Sequence, residues 1–258
     1  MSTGGMMIID AHIHYGDSVR MNMKTSELNL IAEMDRNGIQ MAICAHMEAL
    51  LYDMDQGNEK ALELSKSAPD RIFGYVTIPS VRLDTSAIPT LEKFIEYDSM
   101  VGVKMYSVPF PGTDRVWIPM TEPSSAPLLE HVETLGRPLL VHASPQEVEF
   151  LARQYPKLTI IMAHSGNAPE MHGQWHKAVH IAAQFPNVVM DICGSTIDAD
   201  LLDFALQRVG AERLLYGSDW PLFRFEYALG RFRNAGISES DLELILSGNA
   251  LRLFELGD

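Results

Sequence analysis

Only two cysteines, Cys44 and Cys193, occur in 258 residues, each inside an apolar run. Without a framework of paired cysteines, they read as buried free thiols of a reducing compartment. Long apolar runs are missing too, since nothing approaches the roughly 20 residues that cross a bilayer. The opening Met1-Ser2-Thr3-Gly4-Gly5 lacks the basic and apolar regions of a secretory signal, so a disordered leader over residues 1–5 and a cytoplasmic location are expected. Basic residues are scarce, with 20 Lys and Arg against 34 Asp and Glu and a formal net charge of −14. That balance argues against nucleic acid and against anionic membranes as partners. A small-molecule substrate remains, with a homodimer as the default assembly. Linker-like and low-complexity stretches are absent, and residues 6–258 read as a single domain.

What is present is alternation. Eight short β-leaning runs recur: residues 6–14, 40–46, 72–78, 101–106, 138–143, 158–165, 188–192 and 213–218. Most are near-continuous hydrophobes, as expected for parallel strands covered on both faces. Between them lie stretches with helical periodicity, among them 26–37, 56–67, 87–97, 147–154, 175–184, 199–209 and 226–234. Ser26 and Asp200 suit helix starts, and Gly38, Gly136 and Gly236 suit helix stops. Strand alternating with helix eight times predicts an α/β fold, a single-domain (β/α)8 TIM barrel.

Several of these runs end in metal-ligand residue types. Asp10-Ala11-His12-Ile13-His14 closes the first, and alternate residues of a strand share a face, so His12 and His14 form a two-pronged imidazole pair. His142 closes the fifth run, His164 the sixth, and Asp219 follows the eighth. In a parallel barrel all these ends open onto one mouth. Imidazoles and a carboxylate converging there suit one divalent ion with an open position for water. Zn2+ is favoured, and Mn2+ or Fe2+ would tolerate the same donors.

Taken in order, these motifs resemble the amidohydrolase superfamily, in particular the amidohydrolase-2 branch with its aminocarboxymuconate-semialdehyde decarboxylase-like members. The similarity extends through Ala163-His164-Ser165-Gly166 and Gly217-Ser218-Asp219-Trp220-Pro221 to the tail Gly248-Asn249-Ala250-Leu251-Arg252-Leu253-Phe254. The resemblance implies that His12, His14, His142 and Asp219 bind the metal. It also implies that Asp219 takes a proton from metal-bound water and that His164 orients the water or polarises the substrate. Lys104 lies in Gly102-Val103-Lys104-Met105-Tyr106, the stretch that ends the fourth run, where some relatives carry a carboxylated lysine bridging two metals. A second metal with Lys104 carboxylated is therefore the alternative to a mononuclear site. The expected activity is hydrolysis of an ester, lactone or amide. Non-oxidative decarboxylation of an aromatic or muconate-type acid stands second, because such decarboxylases tend to be longer than this chain. A barrel without catalysis is a remote third reading, since none of the five ligand-type residues is missing.

Six further residues are candidates for substrate contact. His46 and Tyr106 end the second and fourth runs, and Trp220 and Arg224 follow Asp219. Arg115 and Trp117 lie in the long Pro-rich connection 107–125, and either arginine could grip a substrate carboxylate. His172, His176 and His180, spaced by four, read as a partly exposed helical face rather than a second metal site.

Overall fold

The computed structural model describes residues 5–19, 22–107, 118–166, 174–193 and 200–257. Eight parallel strands follow one another round a single sheet: β1 Ile9–Tyr15, β2 Met41–His46, β3 Ile72–Ile78, β4 Met100–Tyr106, β5 Leu139–His142, β6 Ile160–Met162, β7 Val188–Ile192 and β8 Leu214–Tyr216. The circle closes just past β8, where Ile13 bridges Trp220, the Asp219 amide donates to the His12 carbonyl (2.8 Å) and the His14 amide to the Trp220 carbonyl (2.6 Å). The fold is thus a nearly closed TIM barrel of one domain, as the alternation predicts. No helix among the described residues is long and apolar enough to cross a membrane.

Helices cover the outside: α1 Glu27–Asn37, α2 Met47–Leu51, α3 Met54–Ser67, α4 Ile88–Ile95, α5 Ala126–Leu135, α6 Pro145–Gln154, α7 Trp175–Gln184, α8 Asp200–Arg208, α9 Phe225–Asn234, α10 Glu239–Glu243 and α11 Asn249–Phe254. Ser26 caps α1 by accepting from the Asn29 amide, and Gly38 and Gly136 end α1 and α5 with positive φ. Gly236 is not a stop, because α9 already ends at Asn234. Three helical stretches escape periodicity. α2 is one turn long, α5 opens on Ala126-Pro127, and the tail from Glu239 is broken by a wider turn at Leu244–Gly248. The first four residues of the expected leader lie outside the described residues.

Two apolar layers result from the strand alternation. Ile8, Ile13, Val76, Val103, Val141 and Met190 point outward to helix residues such as Leu30, Met34 and Phe94. Ile9, Ile43, Tyr75, Leu140, Ile161, Val189 and Leu215 fill the inside. Phe254 and Leu256 join that inner cluster beside the strand starts Met41 and Phe73, so the tail plugs the end opposite the mouth.

Candidate metal centre

A bulge decides where β1 aims its histidines. Ile9 and Ala11 face the interior, so strict alternation would turn His12 and His14 outward. Between Asp10 and Ile13 the register against β2 slips by one residue, leaving Ala11 and His12 opposite Ile43 alone. The extra residue returns both imidazoles to the mouth. Asp10, fully buried, pins the bulge by accepting from the amides of His12 and Ser218, both at 3.0 Å. Burial pushes the Asp10 carboxyl up to about 7.

β6 and β8 stop short of their functional residues, three residues earlier than their apolar runs in the first case and two in the second. His164 and Ser165 take left-handed backbone (φ 53° and 54°), as does Asp219 (φ 64°). Such conformations in non-glycine residues cost energy and gather at functional sites, here re-aiming His164 and Asp219 across the mouth. The donor atoms of His12, His14 and Asp219 lie within 4.8 Å of one another. Asp219 Oδ1 stands 3.2 Å from His14 Nε2 and 3.6 Å from His12 Nε2. His142 is beside them through its ring, stacked on Tyr106 at 4.9 Å between centroids and edge-on to His164 at 5.0 Å.

Two residues that run patterns do not reveal complete the centre. Asp191 Oδ2 accepts from His12 Nδ1 at 2.6 Å, leaving the Nε2 lone pair to face the mouth. Cys193 Sγ lies 2.7 Å from His164 Nδ1. The available signal was an acidic residue set in the otherwise apolar Val188-Val189-Met190-Asp191-Ile192-Cys193. Gly217 allows this packing, since a Cβ there would fall 2.4 Å from Asp191 Oδ1 and 2.9 Å from His12 Cβ.

Lys104 projects into the same group, fully buried, with Nζ donating to His12 Nε2 at 2.6 Å. Burial pulls its ammonium down to about 8, against the attraction of Asp219 and Asp191. Burial, followed by the charge of Lys104, holds His12 and His14 well below the ordinary imidazole range and brings His142 to about 4. Burial also depresses His164. Neutral imidazoles beside a carboxylate are the donor set a first-row divalent ion takes, so these residues fit a metal. Burial and the neighbouring Asp219 raise Asp191 to about 7.

The remaining candidates divide. Tyr106 packs at the mouth in a small apolar cluster with Met23, Met47, Leu50 and Leu51. His46 is committed to structure: its Nδ1 accepts from the Glu48 amide at 3.1 Å and caps α2. Trp220 turns away from the mouth, donating Nε1–H to Glu33 Oε2 (3.2 Å) and stacking on Phe225. Arg224 is exposed at the start of α9, drawn there by solvation of its guanidinium. Arg115, Trp117 and His172 lie outside the described residues, whereas His176 and His180 are exposed on α7.

Comparison with known proteins adds to this geometry. The amidohydrolase family model matches residues 9–256. A gamma-resorcylate decarboxylase of Polaromonas sp. (strain JS666) is 30% identical over 145 residues, 50% of this chain and 44% of that protein. One from Rhizobium sp. (strain MTP-10005) is 23% identical over 284 residues, covering 86% and 85%. An L-fucono-1,5-lactonase of Burkholderia ambifaria is 31% identical over a shorter stretch of 134 residues, 46% of each chain. The Polaromonas and Burkholderia matches thus span less than half of those relatives' own lengths. Among solved structures, dihydroxybenzoic acid decarboxylase from Polaromonas sp. JS666, with bound manganese and an inhibitor, superposes with TM-score 0.72 at 20% identity, covering 98% of this chain and 97% of that one.

These relatives correct the expectation of ester, lactone or amide hydrolysis. The curated relatives matched over most of the chain are gamma-resorcylate decarboxylases, at 86% of it, whereas the lactonase match covers 46%. A short chain was a poor reason to prefer hydrolysis, because the same barrel mouth serves both chemistries and loop contacts select between them. The family itself is established: with its model matched from the first strand to the tail, the chain belongs to the amidohydrolase family.

Proposed function

We propose that the protein is a metal-dependent, non-oxidative decarboxylase of an aromatic acid with a hydroxyl beside its carboxylate. The observation that carries this reading is Lys104, a fully buried cation set against His12 and beside Asp219 in a chain of net charge −14. A buried cation at a metal centre suits a substrate that brings its own carboxylate, by charge pairing in a low-dielectric site. The gamma-resorcylate decarboxylases among the relatives support the same substrate class.

A divalent ion held by His12, His14, His142 and Asp219 would supply Lewis acidity toward the carboxylate and its neighbouring hydroxyl oxygen. Manganese, present in a solved relative, is the ion to load first. Lys104 holds the carboxylate, and Tyr106 with its apolar neighbours offers a surface for the ring. A proton passes from the Asp219 carboxyl to the ring carbon bearing the carboxylate. The bond from that carbon to the carboxylate then breaks, its electron pair refills the ring, and CO2 leaves. The proton stays on the product, so His164, whose Nδ1 lies 3.8 Å from Asp219 Oδ2, relays a fresh one from solvent water to Asp219 for the next cycle.

Manganese-loaded protein incubated with 2,6-dihydroxybenzoate and other ortho-hydroxybenzoates should release CO2 and the matching phenol. Lys104→Met should lower kcat/KM by on the order of 100-fold, mostly through KM, as expected for loss of a buried charge partner. Full activity in that variant would remove Lys104 from the reading.

A further inference from the structure

The mouth holds two overlapping sets of donors rather than one. His12, His14 and Asp219 form the first. His12, His164 and Cys193 form the second, all buried, with donor atoms again within 4.8 Å of one another. The sets differ in chemistry. The first offers two imidazoles and a carboxylate, which suit harder ions such as manganese, whereas the second replaces the carboxylate with sulfur and suits thiophilic ions. Asp219 Oδ2, 3.8 Å from His164 Nδ1, is within reach as a fourth ligand of the second set.

We propose that His12, His164 and Cys193 constitute a second, thiophilic metal position that competes with the first for a single ion. Competition follows from the shared residue, because a neutral imidazole has one lone pair and His12 can serve only one ion at a time. Zinc in a tetrahedral shell keeps bonds of about 2.3 Å to sulfur and about 2.0 Å to nitrogen, which sets those two ligands roughly 3.6 Å apart. The Cys193–His164 contact of 2.7 Å therefore opens on binding, a movement within the reach of a rotation about the Cys193 side chain. The thiol proton is released to solvent as the metal–sulfur bond forms. Under the decarboxylase reading, an ion in this position ties up His164, so zinc or cadmium inhibits where manganese supports turnover. The metal preference of the enzyme is then set by Cys193.

Cadmium and manganese binding to the whole chain tests this without any assay of activity. Cadmium should bind at one ion per chain with the ultraviolet charge-transfer absorption of a cadmium–thiolate bond, and should displace bound manganese, read as free Mn2+ by electron paramagnetic resonance. Cys193→Ser should abolish the absorption and weaken cadmium by on the order of 100-fold, leaving manganese within about threefold. His14→Gln should do the reverse, losing manganese while the thiolate absorption persists, so that each variant acts as the folding control of the other. Cadmium binding without thiolate absorption, or cadmium and manganese bound together, would overturn the proposal. Manganese binding alone would leave the decarboxylase reading intact, whereas a protein that binds neither ion would overturn both.

Discussion

At the scale of single residues, the centre depends on groups that touch no ion themselves. Asp191 is the clearest, fully enclosed and fixing the proton of His12 on Nδ1. Asp191→Asn keeps the shape but presents the His12 N–H with an amide, whose NH2 face cannot accept. Its manganese affinity should fall roughly 10- to 100-fold, as for other partners of metal-bound histidines, which competition with a chelator measures directly. His12, His14, His142, His164 and Asp219 were legible because each closes or follows an apolar run, a pattern that survives without coordinates. Asp191 and Cys193 were not, since a lone polar residue inside a strand carries no mark of the face it occupies. Trp220 misled for the opposite reason: it adjoins Asp219 in sequence, but the left-handed backbone at Asp219 sends the next side chain to Glu33.

At the scale of elements, strand number and order could be read from alternation, whereas strand ends could not. Hydrophobicity continues through Ala163 and Gly217, so nothing in it announces the backbone reversals that end β6 and β8. The β1 bulge is equally silent, because Asp-x-His-x-His fits an unbroken strand just as well. The α2 start carries its own pH signature. Burial, with a smaller contribution from Lys60, takes His46 from 6.5 down to about 4, so the folded protein keeps its imidazole neutral as the cap. An unfolded chain binds the proton near 6.5 and the folded one only near 4. Stability from this group is therefore complete above 6.5 and is lost as pH falls toward 4. The full loss is about 3 kcal/mol. His46→Gln should be less stable than the parent at pH 7, and the gap should narrow toward pH 4.5 in urea unfolding. A gap that stays constant would show that His46 is not the group titrating. Gly16 packs against this same ring, where a Cβ would lie 2.5 Å from His46 Cε1.

At the scale of the whole molecule, the barrel separates stability from chemistry along its axis. The C-terminal tail fills the end opposite the mouth, with Phe254 edge-on to Tyr75 at 5.9 Å and Asn249 donating to the carbonyls of Ala211 and Leu214. Phe254→Ala should cost about 3 to 5 kcal/mol and lower Tm by roughly 10 °C, while manganese affinity holds at the far end. The same separation explains why fold and family could be read from the sequence before the reaction could. The barrel is written in eight runs, but the choice of bond broken rests on a few contacts at the mouth. That choice is tested most directly by turnover of 2,6-dihydroxybenzoate in deuterated water by the manganese-loaded protein. Decarboxylation predicts one CO2 per resorcinol formed, with a single deuterium at the ring carbon that carried the carboxylate. No CO2 from any ortho-hydroxybenzoate, with oxygen-18 from labelled water entering the product of an ester or lactone instead, would contradict it.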